Sequence, residues 1–172
     1  MNSKFLKTSF GQIIQGPIII QTKTFEDQRG LFYESWNSKM FNELFSEEIN
    51  FVQDNISISK KGVLRGLHYQ LSPFFQGKLI RCLKGSIFDV IVDLRSNSET
   101  FLSWASIFLS DNNCNQLWIP EGFAHGFLTI SNEAIVNYKV NNYWNKDYER
   151  SLKWNDPNIN IKWPTKEFNI DF

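Results

Sequence analysis

Runs of alternating or β-branched apolar residues, separated by Gly, Asn and Lys turns, extend along most of this chain. These runs predict strands at 17–25, 31–35, 51–59, 63–70, 78–83, 87–94, 101–109, 116–120, 122–130 and 134–144. Many short strands at a spacing of about ten residues are typical of antiparallel sandwiches and barrels. The expected fold is therefore all-β, an antiparallel jelly-roll barrel with one or two short helices.

One segment departs from the strand pattern. The apolar residues of 39–48 recur at helical spacing, and Asn37 or Ser38 can cap the first turn. We therefore predict a helix here. The chain has 172 residues, of which 42% are hydrophobic and 16% aromatic, enough for one core. A single domain over 1–172 is expected.

Charge and hydropathy exclude several partners. Eighteen basic and eighteen acidic residues cancel, so no global field favours nucleic acid or an anionic membrane surface. No apolar run approaches the roughly 20 residues that span a bilayer, and the first residues lack the apolar centre of a signal peptide. We expect a cytoplasmic protein with no nucleic-acid or membrane partner, in which any bound anion occupies a local site.

The residues disfavour four kinds of site. His68 and His125 are far apart, and the HxH pair of metal-binding cupin barrels is missing, so no metal is expected. Cys82 and Cys114 lack CxxC spacing and are predicted to be reduced structural thiols. The sequence has neither a GxSxG nucleophile motif nor a Gly-rich phosphate loop. Acid–base chemistry with His and Tyr, supported by Lys and Arg, remains.

Candidate chemistry concentrates in segment 62–95, where His68 lies among β-patterned residues and several cations. Strict alternation would place Arg65 and His68 on opposite faces of their strand. Gly66 lies between them, however, and a β-bulge there would turn both side chains to the same face. Together with Lys78 they would line one cavity, in which a group with an unperturbed pKa of about 6.5 lies beside two cations.

Each candidate also has a purely structural interpretation. A lone histidine such as His68 is more often a core or rim residue satisfied by the backbone, and the glycines beside His125 suit a bend as well as a ligand. Tyr138 lies on an otherwise apolar strand face, which is typical of a packed core tyrosine. Lys78 could be a solvated strand charge, and Arg29 could merely finish a turn.

Six blocks of the chain form a jointly specific pattern. They are FEDQRGLFYESWN, FVQDNISISKKGVLRGLHYQ, QGKLIRCLKGSIFDVIVDLR, QLWIPEGFAHGF, NYKVNNYW and LKWNDPNINIKWP. Together they closely resemble the dTDP-4-dehydrorhamnose 3,5-epimerase family over roughly 16–164. The resemblance implies a cupin-like jelly-roll subunit, usually a homodimer, that needs no metal or organic cofactor. It also implies epimerisation of a nucleotide-diphosphate-linked 4-keto-6-deoxy sugar at carbons 3 and 5.

Roles follow from the resemblance position by position. His68 matches the general base and Tyr138 the general acid, while Lys78 and Arg65 match cations that hold the keto oxygen and the phosphates. The remaining matches to substrate-binding positions are Arg29, Glu34, Gln53, Asp54, Asn55, His125 and Glu149. In the family an Asp beyond the Trp-Pro pair contacts the base histidine; here the chain ends eight residues after Pro164, and Asp171 is the candidate for that carboxylate.

Other functions stay open at this point. A sugar-nucleotide 3,4-ketoisomerase or a single-carbon epimerase would use a related barrel with a shifted acid. A catalytically inactive module that binds sugar nucleotides or glycans would retain the same pocket without proton exchange.

Overall fold

The computed structural model describes residues 2–45 and 48–164, and strands account for nearly all of its regular structure. The strands are β1 (Asn2–Lys7), β2 (Ile13–Gln21), β3 (Thr24–Asp27), β4 (Gly30–Tyr33), β5 (Gln53–Lys60), β6 (Leu64–Gln70), β7 (Lys78–Lys84), β8 (Ser86–Asp93), β9 (Trp104–Ser110), β10 (Gln116–Ile119), β11 (Phe123–Thr129), β12 (Glu133–Val140) and β13 (Glu149–Ser151). The helix α1 comprises Ser38–Asn42.

Two antiparallel sheets face each other. The larger sheet has the strand order β1-β2-β10-β7-β12-β5, and the smaller one has the order β13-β6-β11-β8-β9. Strands β3 and β4 form a separate hairpin. This arrangement is an antiparallel jelly-roll barrel, and the predicted all-β fold is confirmed.

The core occupies three layers. The inner faces of both sheets share one apolar cluster, to which Ile80, Val136, Ile91 and Phe127 belong. The outer face of the smaller sheet is covered by the tail that contains Ile159 to Trp163. The outer face of the larger sheet is covered by an aromatic cluster of α1 and its flanking segments. Both sheets are therefore fixed from inside and outside.

Some predicted boundaries differ from those of the structure. The predicted strand 17–25 is divided between β2 and β3, and strand 101–109 begins only at Trp104. The second difference has a clear cause, because the buried Asp93 carboxylate accepts hydrogen bonds from Arg95, Ser98 and Thr100 and so folds the preceding segment into a turn. The short strands β1 and β13 were not predicted.

The helix is also shorter than the predicted 39–48. Asn37 caps it as expected, since its side chain accepts a hydrogen bond from the Met40 amide at 3.1 Å. Its last turn then tightens into a bond from the Leu44 amide to the Phe41 carbonyl, and the Asn42 side chain accepts a bond from the Ile49 amide at 3.0 Å. Residues 46 and 47 of the predicted helix lie outside the described residues.

The predicted bulge at Gly66 is confirmed. His125 pairs with His68 and Phe127 with Arg65, so two residues of β6 face the single Gly126 of β11. Leu64 and Leu67 consequently point to the outer cluster. Gly66 has a φ of +122°, and a Cβ built there would lie 2.5 Å from the Gly126 Cα atom. Only glycine fits this position.

The bulge generates a stability prediction with a matched control. Gly30 has almost the same φ, +120°, but a Cβ there meets nothing within 4 Å. Gly30→Ala therefore measures backbone strain alone, and we expect it to cost about 1–3 kcal/mol. Gly66→Ala adds the clash with the Gly126 backbone, and we expect a loss above about 4 kcal/mol. Equilibrium urea unfolding of the two variants tests this, and equal losses would show that the glycine contact is unimportant.

Candidate active site

The polar end of the barrel interior forms a cavity of about 230 Å³. Along β7 and β12 the inner positions change from Ile80 and Val136 in the apolar core to Lys78 and Tyr138 in the cavity wall. The bulge on β6 adds two inward-facing side chains from the other sheet. The cavity is lined by Ser57, Arg65, His68, Lys78, His125, Phe127 and Tyr138.

A second cavity of about 410 Å³ adjoins the first and shares His68, Lys78 and Tyr138 with it. Its other lining residues are Gln53, Asn55, Gln76, Trp144 and Glu149. The inner row of the edge strand β5 thus provides polar groups to both cavities. Amides, a carboxylate and an aromatic ring suit a ligand that is larger than the first cavity alone accommodates.

His68 is held in its neutral form. His68 is exposed as a whole residue in the single chain, but partial desolvation of its imidazole at the cavity wall lowers the pKa below the ordinary value of 6.5. The Glu149 carboxylate opposes this effect, and the positive charges of Lys78 and Arg65 add to it. A neutral imidazole near physiological pH is ready to accept a proton. His68 therefore has the protonation state of a general base.

Tyr138 has the opposite state for the same physical reason. Burial raises the pKa of its phenol above the ordinary 10.0, and the charge of Arg65 opposes the shift. The phenol keeps its proton until a strong base is placed against it. Tyr138 belongs to the larger sheet and His68 to the smaller one, so a proton donor and a proton acceptor lie on opposite walls of the cavity.

Lys78 supplies an ammonium group that loses its proton more readily than an ordinary lysine. Burial lowers the pKa of its ammonium to about 8, while the carboxylates of Glu149 and Asp89 act in the opposite direction. The ammonium is charged at neutral pH and loses its proton in the mildly alkaline range. A ligand anion would therefore be bound most strongly below that pH.

His125 is anchored to a residue that sequence analysis missed. Its Nε2 atom lies 2.9 and 3.1 Å from the two carboxylate oxygens of the fully buried Asp89. Burial raises the pKa of the Asp89 carboxyl, and the bond to His125 opposes that shift. An ionised Asp89 requires the hydrogen on Nε2, which fixes the ring orientation. The signal in the sequence was an acid in the otherwise apolar run of β8, IFDVIV.

Sequence analysis also missed Ser57. It lies on the inner face of β5 beside Asn55, and its buried Oγ atom has no hydrogen-bond partner among residues 2–45 and 48–164. A serine within an alternating strand carries little signal by itself. Only the three-dimensional arrangement shows that it belongs to the cavity wall.

Three predicted binding residues do not reach these cavities. Asp54 points to the outer face of β5, where its carboxylate accepts bonds from Lys139 at 3.0 Å and Asn137 at 2.7 Å. The alternation of side chains along a strand explains why Gln53 and Asn55 face inward and Asp54 does not. Asp54 therefore lines neither cavity, and its contact with a substrate stays a prediction.

Arg29 and Glu34 lie away from the cavities for a different reason. Arg29 is at the turn of the β3–β4 hairpin, with its side chain 85% exposed and its Nε atom 3.0 Å from an Asp27 carboxylate oxygen. Glu34 follows the same hairpin and lines a separate groove with Phe25 and Phe32. Within one chain neither residue lines a cavity that contains His68, and their contact with the substrate stays a prediction. Asp171, the candidate partner of His68, lies outside the described residues.

Other kinds of site find no support in the described part of the chain. Residues 2–45 and 48–164 contain no cluster of three or more His, Cys, Asp or Glu side chains that could hold a metal ion. Within the same residues, no helix has the length and hydropathy needed to cross a bilayer. Cys82 and Cys114 are both free and buried.

Comparison with known proteins identifies the family. The sequence model of dTDP-4-dehydrorhamnose 3,5-epimerase matches residues 12–171. The chain belongs to this family. The dTDP-4-dehydrorhamnose 3,5-epimerase of Shigella flexneri is 54% identical over 149 residues, which cover 87% of this chain and 82% of that protein.

Solved structures agree with this assignment. The crystal structure of the dTDP-4-dehydrorhamnose 3,5-epimerase from Elizabethkingia anophelis superposes with a TM-score of 0.86 at 47% identity, covering 96% of this chain and 88% of that one. The Legionella pneumophila dTDP-6-deoxy-D-glucose-3,5-epimerase, in complex with dTDP-4-keto-L-rhamnose, superposes with a TM-score of 0.89 at 44% identity, covering 99% and 87%.

The lowered pKa of Lys78 predicts a pH-dependent affinity for dTDP. Its ammonium is charged below a pKa of about 8 and neutral above it, so affinity should fall by about tenfold as pH rises from 7 to 9.5. In Lys78→Met the affinity should be low and nearly constant over this range. Isothermal titration calorimetry at several pH values measures both, and a parent affinity that does not change with pH would contradict the prediction.

Proposed function

We propose that this chain carries out the reaction for which its family is named, the inversion of carbons 3 and 5 of a dTDP-linked 4-keto-6-deoxy sugar. The chain is an isomerase of this family. The observation that carries the proposal is the placement of a neutral imidazole and a protonated phenol on opposite sheets, with one cation of the same cavity on each sheet. A sugar ring between the sheets would have a base on one face and an acid on the other.

The chemistry requires such an arrangement. A proton on a carbon next to a ketone is acidic because the carbanion left behind delocalises onto the keto oxygen as an enolate. Inversion follows when that proton is removed from one face of the ring and a new proton is delivered to the other. A fixed positive charge near the oxygen lowers the energy of the enolate. Within the sugar only carbon–hydrogen bonds break and form. Each inversion leaves the base with one extra proton and the acid with one fewer, so proton exchange with water must restore both groups before the next inversion.

The residues can be assigned to these requirements. His68 removes the proton from carbon 3 or carbon 5, and Tyr138 donates a proton from the opposite wall. Lys78 and Arg65 stabilise the enolate oxygen and neutralise the diphosphate, while His125, held by Asp89, provides a further polar contact. Gln53, Asn55 and Glu149 in the adjoining cavity contact the more distant part of the substrate.

A homodimer is part of the proposal, because one chain leaves the site open. His68 and Arg65 are both exposed in the single chain, although an enolate is best protected from water. The β3–β4 hairpin carries exposed apolar residues, including Phe32 at 71% exposure, beside the unused Arg29. In a symmetric pair, this hairpin could cover the partner's cavity and bring Arg29 and Glu34 to its substrate.

The free edges of the larger sheet limit where a partner can add to it. Strand β2 is bonded to β1 on one side and β10 on the other. Within the described residues, β1 and β5 are the edges of the larger sheet. The proposed contact is therefore formed by the hairpin and by β5, whose Ile56 and Ile58 are exposed.

We also retain the cytoplasm as the proposed location. Two free, buried cysteines suit a reducing compartment, where thiols persist. The balanced net charge gives no reason to add a nucleic-acid or membrane partner.

The roles of His68 and Tyr138 predict different defects. Incubation with dTDP-4-keto-6-deoxyglucose in deuterated water should give no deuterium incorporation with His68→Asn, because the base is missing. Tyr138→Phe should still incorporate deuterium but form at least about a hundredfold less inverted sugar, because the donor on the opposite face is missing. NMR follows both quantities in one sample.

The control for this experiment is Tyr69→Phe, which removes a phenol that packs in the outer cluster of the smaller sheet and lines neither cavity. We expect it to retain deuterium exchange and inversion at carbons 3 and 5. Doubly inverted product formed by Tyr138→Phe at the parent rate would return Tyr138 to a structural role. Binding of dTDP by the parent protein without any exchange would favour the non-catalytic module, and inversion at one carbon would favour a single-carbon epimerase.

The proposed dimer predicts complementation between two inactive variants. Arg29→Ala damages the partner's site, whereas His68→Asn damages its own. A mixed dimer then contains one site with both defects and one site with neither. Co-refolding equal amounts should restore about one quarter of the parent activity by random pairing. A mixture as inactive as the separate variants would place Arg29 in its own chain's site or outside the reaction.

A further inference from the structure

The guanidinium of Arg65 is held by a residue that does not itself line either cavity. Arg65 Nε donates a hydrogen bond to Ser59 Oγ at 2.9 Å, and Nη2 approaches the Ile58 carbonyl at 3.5 Å. Ser59 is only 4% exposed. It lies on the inner face of the edge strand β5, in the same row as Gln53, Asn55 and Ser57.

We propose that Ser59 is a positioning residue that aims the Arg65 guanidinium at an anionic oxygen of the substrate. The inference rests on the function proposed above. Ser59 touches no substrate in this scheme and acts only through Arg65. The oxygen belongs to the diphosphate or to the developing enolate, because both carry the negative charge that a guanidinium recognises.

The need for such an anchor follows from the exposure of Arg65. Its side chain has several rotatable bonds, and an exposed arginine loses considerable rotamer entropy when it is fixed in one orientation. A bond at Nε fixes the plane of the guanidinium while leaving Nη hydrogens for a second partner. Fixing this plane before the substrate arrives reduces the entropy lost on binding.

The bond also gives the buried Ser59 hydroxyl a hydrogen-bond partner. A buried hydroxyl without a partner is unfavourable, and Arg65 is the partner that the described residues provide. Both strands that carry the pair are fixed, because Ser59 pairs with Ala134 of β12 and Arg65 with Phe127 of β11. The contact therefore joins β5 of the larger sheet to β6 of the smaller one.

A double-mutant cycle tests the proposal. Ser59→Ala should lower kcat/KM and the affinity for dTDP by about tenfold each. Ser59→Thr keeps the hydroxyl and should retain most of the parent values. In the Arg65→Met background, Ser59→Ala should change neither quantity by more than about twofold. Ser106→Ala on β9 is the matched control, since it removes one strand hydroxyl from a position that lines neither cavity; it should behave like the parent.

The outcomes separate this inference from the proposed function. Equal losses from Ser59→Ala with and without Arg65 would overturn the positioning role, and so would parent kinetics in Ser59→Ala. Binding of dTDP by calorimetry and thermal unfolding are measured for every variant, so that a variant that merely unfolds is recognised. If Ser59→Ala unfolds, the kinetics of the folded Ser59→Thr variant, alone and combined with Arg65→Met, test the positioning role instead. A parent protein that binds dTDP but exchanges no deuterium would overturn the proposed reaction while the binding cycle still judges Ser59.

Discussion

The backbone contact between Gly66 and Gly126 determines which way the strand with the proposed base presents its side chains. At this point two residues of β6 face one residue of β11, and side chains at either glycine would collide with the opposite backbone. The bulge turns both Arg65 and His68 into the barrel. In a regular strand one of them would point into the outer apolar layer, where an unpaired cation or imidazole would be costly.

Desolvation then sets the protonation state of each main group. Desolvation at the cavity wall lowers the pKa of His68 and of Lys78 and raises that of Tyr138. For the imidazole and the phenol, the neutral forms that burial favours are the forms that acid–base catalysis uses. For Lys78 the proposed function needs the charged form, which burial disfavours. The nearby carboxylates of Glu149 and Asp89 raise the pKa of Lys78 and so favour the ammonium. Desolvation by the apolar barrel and the charges of its few carboxylates thus together set the protonation states of the site.

Sequence patterns predicted the parts of this structure that depend on local periodicity. The strands follow alternation, the bulge follows from a glycine between two polar residues, and the inward direction of Gln53 and Asn55 follows from strand geometry. The bond between His125 and Asp89 was missed because it joins neighbouring strands whose pairing no local pattern specifies. Asp54 was grouped with Gln53 and Asn55 by the family resemblance, although alternation along β5 turns its side chain to the outer face. That residues 1–172 form a single domain stays a prediction.

The location of base and acid on different sheets makes the spacing of the sheets part of the chemistry. Facing sheets pack about 10 Å apart, and each reactive side chain must reach the ring from its own wall. The inner cluster sets the spacing from within, and the outer layers, built by the C-terminal tail and by α1, prevent either sheet from bending away. Beside β5, the bond from Arg65 to Ser59 joins the two sheets directly. Residues far from the substrate therefore determine how well proton removal and proton delivery are aligned.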